Sequence, residues 1–177
     1  MTRRTPIGER LKAAGHIDAW QLQSALAHQQ RWGGRLGEAL VSLGFVSEEI
    51  VLKEVADQLG VPFVAIRGRR VPESTVSVVP ERLIRSRRVF PLAVSRQSRR
   101  GPLVLATTEP HDLGVLDEVS FATGLAVQPV LVSEKDLEDL VARHLDGRAV
   151  PASPRTVELP KDRGLPMQLV PFAHGLY

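Results

Sequence analysis

The feature that most constrains this chain is an internal repeat in its first third. Residues 6–29 align without a gap on residues 35–58 when the sequence is shifted by 29 positions. Ordinary protein composition would give about one or two chance identities over such a window. The alignment has six: Gly8 with Gly37, Glu9 with Glu38, Leu11 with Leu40, Gly15 with Gly44, Ala27 with Ala56 and Gln29 with Gln58. The region is therefore expected to fold as two similar units joined by a five-residue spacer.

Each repeated unit predicts a pair of short helices. In the first unit Thr5 is a candidate N-cap, with Pro6 at the first helical position, and Gly15 is placed to end the helix. A second helix is expected to begin at Asp18. The second unit repeats this arrangement, with a helix at about 36–43 and another after the N-cap Ser47. The two repeats together predict four helices.

The hydrophobic period changes after residue 60. Short apolar runs bounded by turn residues predict strands at 63–66, 89–94, 102–107 and 126–132. Helical periodicity is found between them, at 80–87, 111–123 and 133–145. We therefore expect an α+β protein with three parts: a helical tandem-motif subdomain at 1–60, a small α/β subdomain at 61–146 and a Pro-rich, disordered tail at 147–177.

Composition excludes several classes of protein. The chain has no cysteine, so disulfides and thiolate chemistry are excluded. No apolar run approaches the roughly 18 residues that a membrane span needs, and the N-terminus has no apolar signal-peptide region. These features predict a cytoplasmic protein without a membrane span.

The charge distribution is uneven. Residues 61–110 carry ten Arg against three Glu, whereas residues 111–146 carry two basic and eight acidic side chains. This contrast leaves two interpretations open, internal ion pairing and a docking surface. Nine of these ten arginines form the basic cluster: Arg67, Arg69, Arg70, Arg85, Arg87, Arg88, Arg96, Arg99 and Arg100. A solvated face is the commoner explanation for such a cluster, and an acidic partner is the more specific one.

A duplicated helical hairpin explains many of the repeated positions, because glycines end helices and leucines fill cores. It leaves three features without a reason. Gly8 and Gly37 lie in first helical turns, where glycine costs about 1 kcal/mol relative to alanine, so a close approach to the backbone is expected there. Gln29 and Gln58 lie on apolar faces and need hydrogen-bond partners. Arg35 stands at a helix start, where a phosphate would offset its unfavourable position.

Both units follow the pattern RLGxxLxxxGxxxxxxLxxxLxxQ with aliphatic substitutions, and five residues separate them. Two such motifs resemble the MshEN domain, the N-terminal domain of bacterial type II secretion and type IV pilus assembly ATPases. The similarity continues through the α/β part to about residue 146. The resemblance implies that the chain binds the second messenger cyclic di-GMP, without another cofactor and without a metal.

The resemblance also implies the ligand-binding positions. In the second motif they are Arg35, Leu36, Gly37, Leu40, Gly44, Val51, Val55 and Gln58, and in the first they are Ile7, Gly8, Leu11, Gly15, Leu22, Leu26 and Gln29. The first motif departs from the pattern, because Pro6 stands where arginine is expected. The loss of one charged hydrogen-bonding group costs about 1.5–3 kcal/mol. Arg3, Arg4 and Arg10 are the candidates to compensate for it.

No catalytic signature is found. The P-loop pattern is missing, the dipeptide Gly-Lys does not occur, and the five histidines have no metal-ligand spacing. We therefore expect a protein that is not an enzyme. Trp20 is expected in the helical core, whereas Trp32, in the spacer, is assigned neither to the core nor to the ligand.

Three functional hypotheses remain. The first is a receptor that binds cyclic di-GMP and changes its contacts with a protein partner of a secretion, pilus or motility machine. The second is an interaction module of such a machine that has lost the ligand, which Pro6 and the arginine-rich second subdomain favour. The third, a basic nucleic-acid binder, is the weakest, because few aromatic residues accompany the arginines and no DNA- or RNA-binding module surrounds them.

Overall fold

The computed structural model describes residues 5–94 and 101–147. These residues form two compact units, one within Met1–Gly60 (unit 1) and one within Val61–Tyr177 (unit 2). The predicted tail from residue 148 onwards, Arg3, Arg4 and the arginines at 96, 99 and 100 lie outside the described residues. The helices are α1 Ile7–Ala13, α2 Ala19–Trp32, α3 Leu36–Ser42, α4 Glu48–Leu59, α5 Glu73–Val76, α6 Glu81–Arg87, α7 Leu113–Thr123 and α8 Glu134–His144, and the strands are β1 Val89–Val94, β2 Leu103–Thr107 and β3 Val127–Leu131.

Unit 1 contains the four predicted helices, and their starts follow from local capping. Asp18 and Gln21 form a reciprocal capping box at the start of α2, with bonds of 2.7 and 2.9 Å. Ser47 caps α4. The predicted Thr5 cap of α1 is wrong. Pro6 occupies the N-cap position with ψ at 147°, outside the helical region, and no side chain caps this helix.

The core of unit 1 is built from equivalent positions of the two repeats. Leu11 and Leu40 are fully buried, and Leu22 and Val51 are nearly so. Full burial of an aliphatic side chain contributes about 1.5–3 kcal/mol. These four positions therefore hold the helices together, as the helical spacing predicts.

Unit 2 contains a three-stranded sheet in the order β1-β2-β3. β1 and β2 pair antiparallel, and β2 and β3 pair parallel with α7 as their connection. The predicted strand at 63–66 is wrong, since only Phe63 forms an isolated bridge, to Leu131. The reason is a contact with a distant part of the sequence: the backbone N–H of Ile66 donates to Asp136 Oδ2 of α8, at 2.9 Å, instead of to a strand.

The core of unit 2 lies between this sheet and its helices. Phe90, Leu103 and Leu105 on the strands are fully buried, as are Ile84 of α6 and Leu140 of α8. α5 was not predicted, because its four residues are too few to show a helical period. The predicted α+β class is confirmed.

Two further findings concern the described residues alone. None of the helices in residues 5–94 and 101–147 is long and apolar enough to cross a membrane. Within the same ranges no three or more histidine, aspartate or glutamate side chains are grouped so that they could hold a metal ion.

Candidate functional site

The motif glycines at the starts of α1 and α3 are explained by packing inside unit 1. A Cβ atom on Gly8 would overlap Leu22 and lie 2.8 Å from Leu36 Cδ2. A Cβ atom on Gly37 would lie 2.7 Å from Val51 Cγ1. Leu22 and Val51 are equivalent in the two repeats. The close approach that the sequence predicted is therefore made by a side chain of the neighbouring helix in each repeat.

The motif glycines at the ends of α1 and α3 have a backbone role. Gly15 and Gly44 have φ values of +79° and +73°. A Cβ atom added to either glycine would have no neighbour within 4 Å, so space is not what requires glycine there. After α3, the N–H of Phe45 donates to the carbonyl of Leu40 at 3.0 Å and that of Gly44 to Val41. The same pair of bonds follows α1. Both helices thus end in a Schellman motif, which requires a left-handed residue.

The two motif glutamines join the repeats reciprocally. Gln29 Nε2 donates to the carbonyl of Gly34, which precedes the second motif, at 3.0 Å. Gln58 Nε2 donates to the carbonyl of Thr5, which precedes the first motif, at 3.0 Å. Thr5 and Gly34 are themselves 29 positions apart. The last side chain of each repeat therefore hydrogen-bonds to the residue just before the other repeat. The hydrogen-bond partners that we expected for these two amides are thus backbone carbonyls of the same chain.

The sequence suggested Thr5 only as a helix cap, and neither Thr5 nor Gly34 was predicted to accept these bonds. The repeat contains the signal that identifies them, because each is the residue immediately before a motif. The residue type at these two positions does not reveal the bond, because the glutamine amides contact only the backbone carbonyls.

The aliphatic motif positions fall into two groups by exposure. Leu11, Leu40, Leu22 and Val51 are buried and belong to the core. The others leave surface open to a ligand: Leu26 is 39% exposed, and Ile7, Leu36 and Val55 are partly buried at the edge of the core.

Arg35 has the exposure that an anion-binding residue needs. It is the N-cap of α3, and its backbone N–H donates to Glu38 Oε2 at 3.1 Å. Within residues 5–94 and 101–147 its guanidinium forms no ion pair. Pro6, its equivalent, has similar backbone angles, with φ and ψ of −56° and 147° against −89° and 145°. The departure from the motif at Pro6 is therefore a change of side chain without a change of backbone path.

The two tryptophans are on the surface of unit 1. Trp20 is 69% exposed and packs against Phe45 with ring centroids 5.8 Å apart, so the prediction that it lies in the core is wrong. It stands on the side of α2 opposite to the buried Leu22, which explains the exposure. Trp32 is 71% exposed, and the guanidinium of Arg31 lies 5.4 Å from its ring centroid.

In unit 2, three arginines of the basic cluster are paired within the chain. Arg85 contacts Glu81 and Asp146, Arg87 contacts Glu118, and Arg88 contacts Glu134 and Glu138. The N–O distances run from 2.6 to 3.4 Å, and these side chains are largely exposed. Internal pairing therefore accounts for this part of the charge contrast between residues 61–110 and 111–146.

A turn at residues 66–71 is held by side chains of α8, which the sequence did not indicate. Besides the Asp136 bond, Arg143 Nη1 donates to the carbonyl of Arg69 at 3.1 Å, and His144 Nε2 accepts from the N–H of Val71 at 2.8 Å. Burial lowers the pKa of His144, and the charges of Arg143 and Arg70 add to that effect. Burial also lowers the pKa of Arg69.

Comparison with known proteins places the chain in a family. The MshEN domain model matches residues 59–151, more than half of the chain. The chain is 28% identical over 148 residues to the type IV pilus assembly ATPase PilB of Thermus thermophilus, covering 84% of this chain and 16% of that protein. It is 29% identical to PilB of Myxococcus xanthus, covering 78% and 24%. The chain thus spans less than a quarter of the length of these two relatives.

Solved structures agree with the sequence relatives. A structure of MshE with cdg (cyclic di-GMP) superposes with a TM-score of 0.63 at 30% identity, covering 80% of this chain and 99% of that one. The N-terminal domain of XpsE superposes with a TM-score of 0.53 at 28% identity, covering 81% and 98%. The family model stops short of the tandem repeats, but the 148 residues aligned with PilB outnumber those of unit 2, so that alignment reaches into unit 1. The chain is therefore a member of the MshEN domain family.

Proposed function

We propose that unit 1 is a non-enzymatic receptor module for cyclic di-GMP. The observation that carries the proposal is the reciprocal pair of bonds from Gln29 to Gly34 and from Gln58 to Thr5. This reciprocity arranges the two repeats as similar halves that face each other. Cyclic di-GMP also consists of two identical halves, so each repeat can offer a similar half-site to one of them.

Within each half-site, the motif residues that keep some exposure and those that are buried have different roles. Leu26, Val55, Ile7 and Leu36 supply apolar surface for ribose and guanine faces. Leu11, Leu40, Leu22 and Val51 support them from the core, and the four motif glycines set the helix packing and the helix ends. Arg35 supplies a guanidinium for a phosphate, because it is exposed and forms no ion pair within the described ranges.

The relatives add weight to this ligand. The structure of MshE that resembles this chain contains cyclic di-GMP. Since the relatives also include pilus assembly ATPases, the proposed output of binding is a changed contact with a protein of a pilus or secretion machine.

Isothermal titration calorimetry with cyclic di-GMP, GTP and cyclic AMP tests the proposal. We expect binding heat with cyclic di-GMP and none with GTP or cyclic AMP. Arg35→Ala should weaken the binding of cyclic di-GMP by about tenfold or more. Arg82→Ala, an exposed arginine of unit 2, is the matched control and should bind as the wild type does. The absence of binding up to about 100 μM nucleotide would refute the proposal.

A second candidate function is a ligand-independent interaction module of the same machines. Pro6 favours it, because the first half-site lacks the arginine of the motif. Capture of a pilus or secretion protein that is equally strong with and without cyclic di-GMP would support this alternative. Capture that depends on the nucleotide would support the receptor.

A further inference from the structure

The two repeats differ in a coordinated way around the missing arginine. Under the 29-residue shift Pro6 aligns with Arg35, Arg10 aligns with Ala39, and Glu54 aligns with Ala25. The helix that follows the motif arginine, α3, thus carries Ala39, and its neighbour α2 in the other repeat carries Ala25. The helix that follows Pro6, α1, carries Arg10, and its neighbour α4 in the other repeat carries Glu54.

The structure brings the two charged residues together. Arg10 Nη2 of α1 lies 3.3 Å from Glu54 Oε2 of α4, and the side chains are 32% and 16% exposed. Their equivalents Ala39 and Ala25 are buried, at 3% and 0% exposure. A partly buried ion pair thus joins α1 to α4, whereas α3 and α2 have small, buried apolar residues at the equivalent positions.

The hydrogen-bonding capacity of Arg10 is incompletely used. Its Nε atom is buried and has no hydrogen-bond partner. A guanidinium carries five N–H donors and favours bidentate contacts with carboxylates or phosphates. An anion that replaced Glu54 as the partner of Arg10, with a suitable shift of the side chain, would satisfy donors that Glu54 leaves open.

Arg10 also has the right position on α1. It follows Pro6 by four residues, so the two positions lie on the same face of the helix, one turn apart. Side chains on a helix lean towards its N-terminus, so a long side chain at position 10 covers the surface next to position 6. The guanidinium of Arg10 can therefore serve the region that an arginine at position 6 would serve.

We propose that Arg10 is the phosphate-binding arginine of the first half-site and that it exchanges Glu54 for the ligand when cyclic di-GMP binds. This inference rests on the proposed function of unit 1. Glu54 then has two effects in the free protein. It neutralises Arg10, and its carboxylate competes with the phosphate for the same guanidinium.

The two partners are therefore expected to affect affinity in opposite directions. Arg10→Ala should weaken cyclic di-GMP binding by about tenfold or more, because a charged hydrogen-bonding group is lost. Glu54→Gln should strengthen it by a few-fold, because the competing charge is removed while the shape of the side chain is kept. Lys12→Ala, on the same helix and paired with Glu9 at 3.0 Å, is the control and should change affinity little.

A third variant tests the substitution itself. Pro6→Arg restores the motif, and the backbone angles at position 6 suit a non-proline residue because Arg35 adopts similar ones. Adding Arg10→Ala to Pro6→Arg should then weaken binding much less than Arg10→Ala does in the wild-type chain. Circular dichroism and thermal unfolding of every variant confirm that affinities are compared between folded proteins.

The outcomes separate this inference from the proposed function. If the wild type binds no cyclic di-GMP, both fail. If the wild type binds and Arg10→Ala binds equally well, the role of Arg10 is refuted and the receptor function stands. If Arg10→Ala and Glu54→Gln weaken binding alike and lower the melting temperature alike, the pair is a structural contact between α1 and α4, and the inference is also refuted.

Discussion

Gln58 donates its side-chain amide to the carbonyl oxygen of Thr5 over 3.0 Å, although the two residues are 53 positions apart. The bond joins the end of the second repeat to the start of the first. Its equivalent, from Gln29 to Gly34, joins the end of the first repeat to the start of the second. The two bonds link both ends of each repeat to the other repeat, and the proposed ligand site depends on this double link.

The first prediction concerns these two bonds. Gln58→Ala and Gln29→Ala should each lower the free energy of unfolding of unit 1 by about 0.5–1.5 kcal/mol, the net contribution of one hydrogen bond. Chemical denaturation followed by circular dichroism measures the loss. Gln30→Ala, an exposed neighbour of Gln29 on α2, is the control. A loss in the control as large as that in Gln29→Ala would contradict the role of the bond.

The second prediction concerns the glycines in the first helical turns. Gly8→Ala and Gly37→Ala should destabilise unit 1 by about 1–3 kcal/mol, because the new methyl group would clash with Leu22 and Leu36 or with Val51. The better helix propensity of alanine offsets only about 1 kcal/mol of that cost. Thermal unfolding measures the change.

Gly114 provides the matched control for these two variants. It is also the second residue of a helix, α7, but it is exposed, and a Cβ atom added there would lie 3.4 Å from its nearest neighbour, Asp112 Oδ1. Gly114→Ala should therefore leave stability unchanged or raise it slightly. Destabilisation of all three variants by the same amount would show that glycine itself, and not the packing at Gly8 and Gly37, is responsible.

The difference between these glycines shows what the sequence could predict. The repeat located Gly8 and Gly37 and indicated a close approach to their backbone. It did not show that the approaching atoms belong to Leu22, Leu36 and Val51, because contacts between helices depend on how the helices cross. Helical period and capping residues placed α1 to α4 to within a few residues, since both are local properties of the chain.

Longer-range relationships explain the other errors. Residues 63–66 have the composition of a strand, but the backbone N–H of Ile66 donates to a side chain of α8 and not to a neighbouring strand. Trp20 was expected in the core, whereas its place on α2 directs it to solvent. The assignments of the ligand-binding residues stay predictions, and burial divides them into a core set and an exposed set that the sequence pattern could not separate.

The third prediction concerns pH and His144 in unit 2. Burial lowers the pKa of this residue in the fold, so the folded state favours the neutral ring, which accepts the N–H of Val71. The stability that this provides is present above the unfolded pKa of about 6.5 and is lost as the pH falls through that value towards the lower folded pKa. The melting temperature should therefore fall between about pH 7 and about pH 5.

His144→Gln tests this linkage. The variant should be less stable than the wild type at about pH 7.5 and should show a smaller change of melting temperature on acidification. Parallel pH profiles for the two proteins would mean that the imidazole of His144 does not cause the effect. An NMR titration of the histidine ring gives its pKa directly, and a value at or above the usual range would also contradict the prediction.

The fourth prediction separates the core positions of the motif from those that are open to a ligand. Leu11 is fully buried, so Leu11→Ala should lower the free energy of unfolding by about 2–5 kcal/mol, the cost of a cavity in a packed core. Leu26 is 39% exposed, so Leu26→Ala should cost about 1 kcal/mol or less. The same substitution should weaken cyclic di-GMP binding several-fold, because apolar surface that the ligand covers is removed.

Denaturant unfolding and calorimetry on the same samples measure the two quantities. Leu26→Ala with wild-type affinity would remove Leu26 from the site, and equal stability losses in the two variants would contradict the division of the motif into core and contact residues.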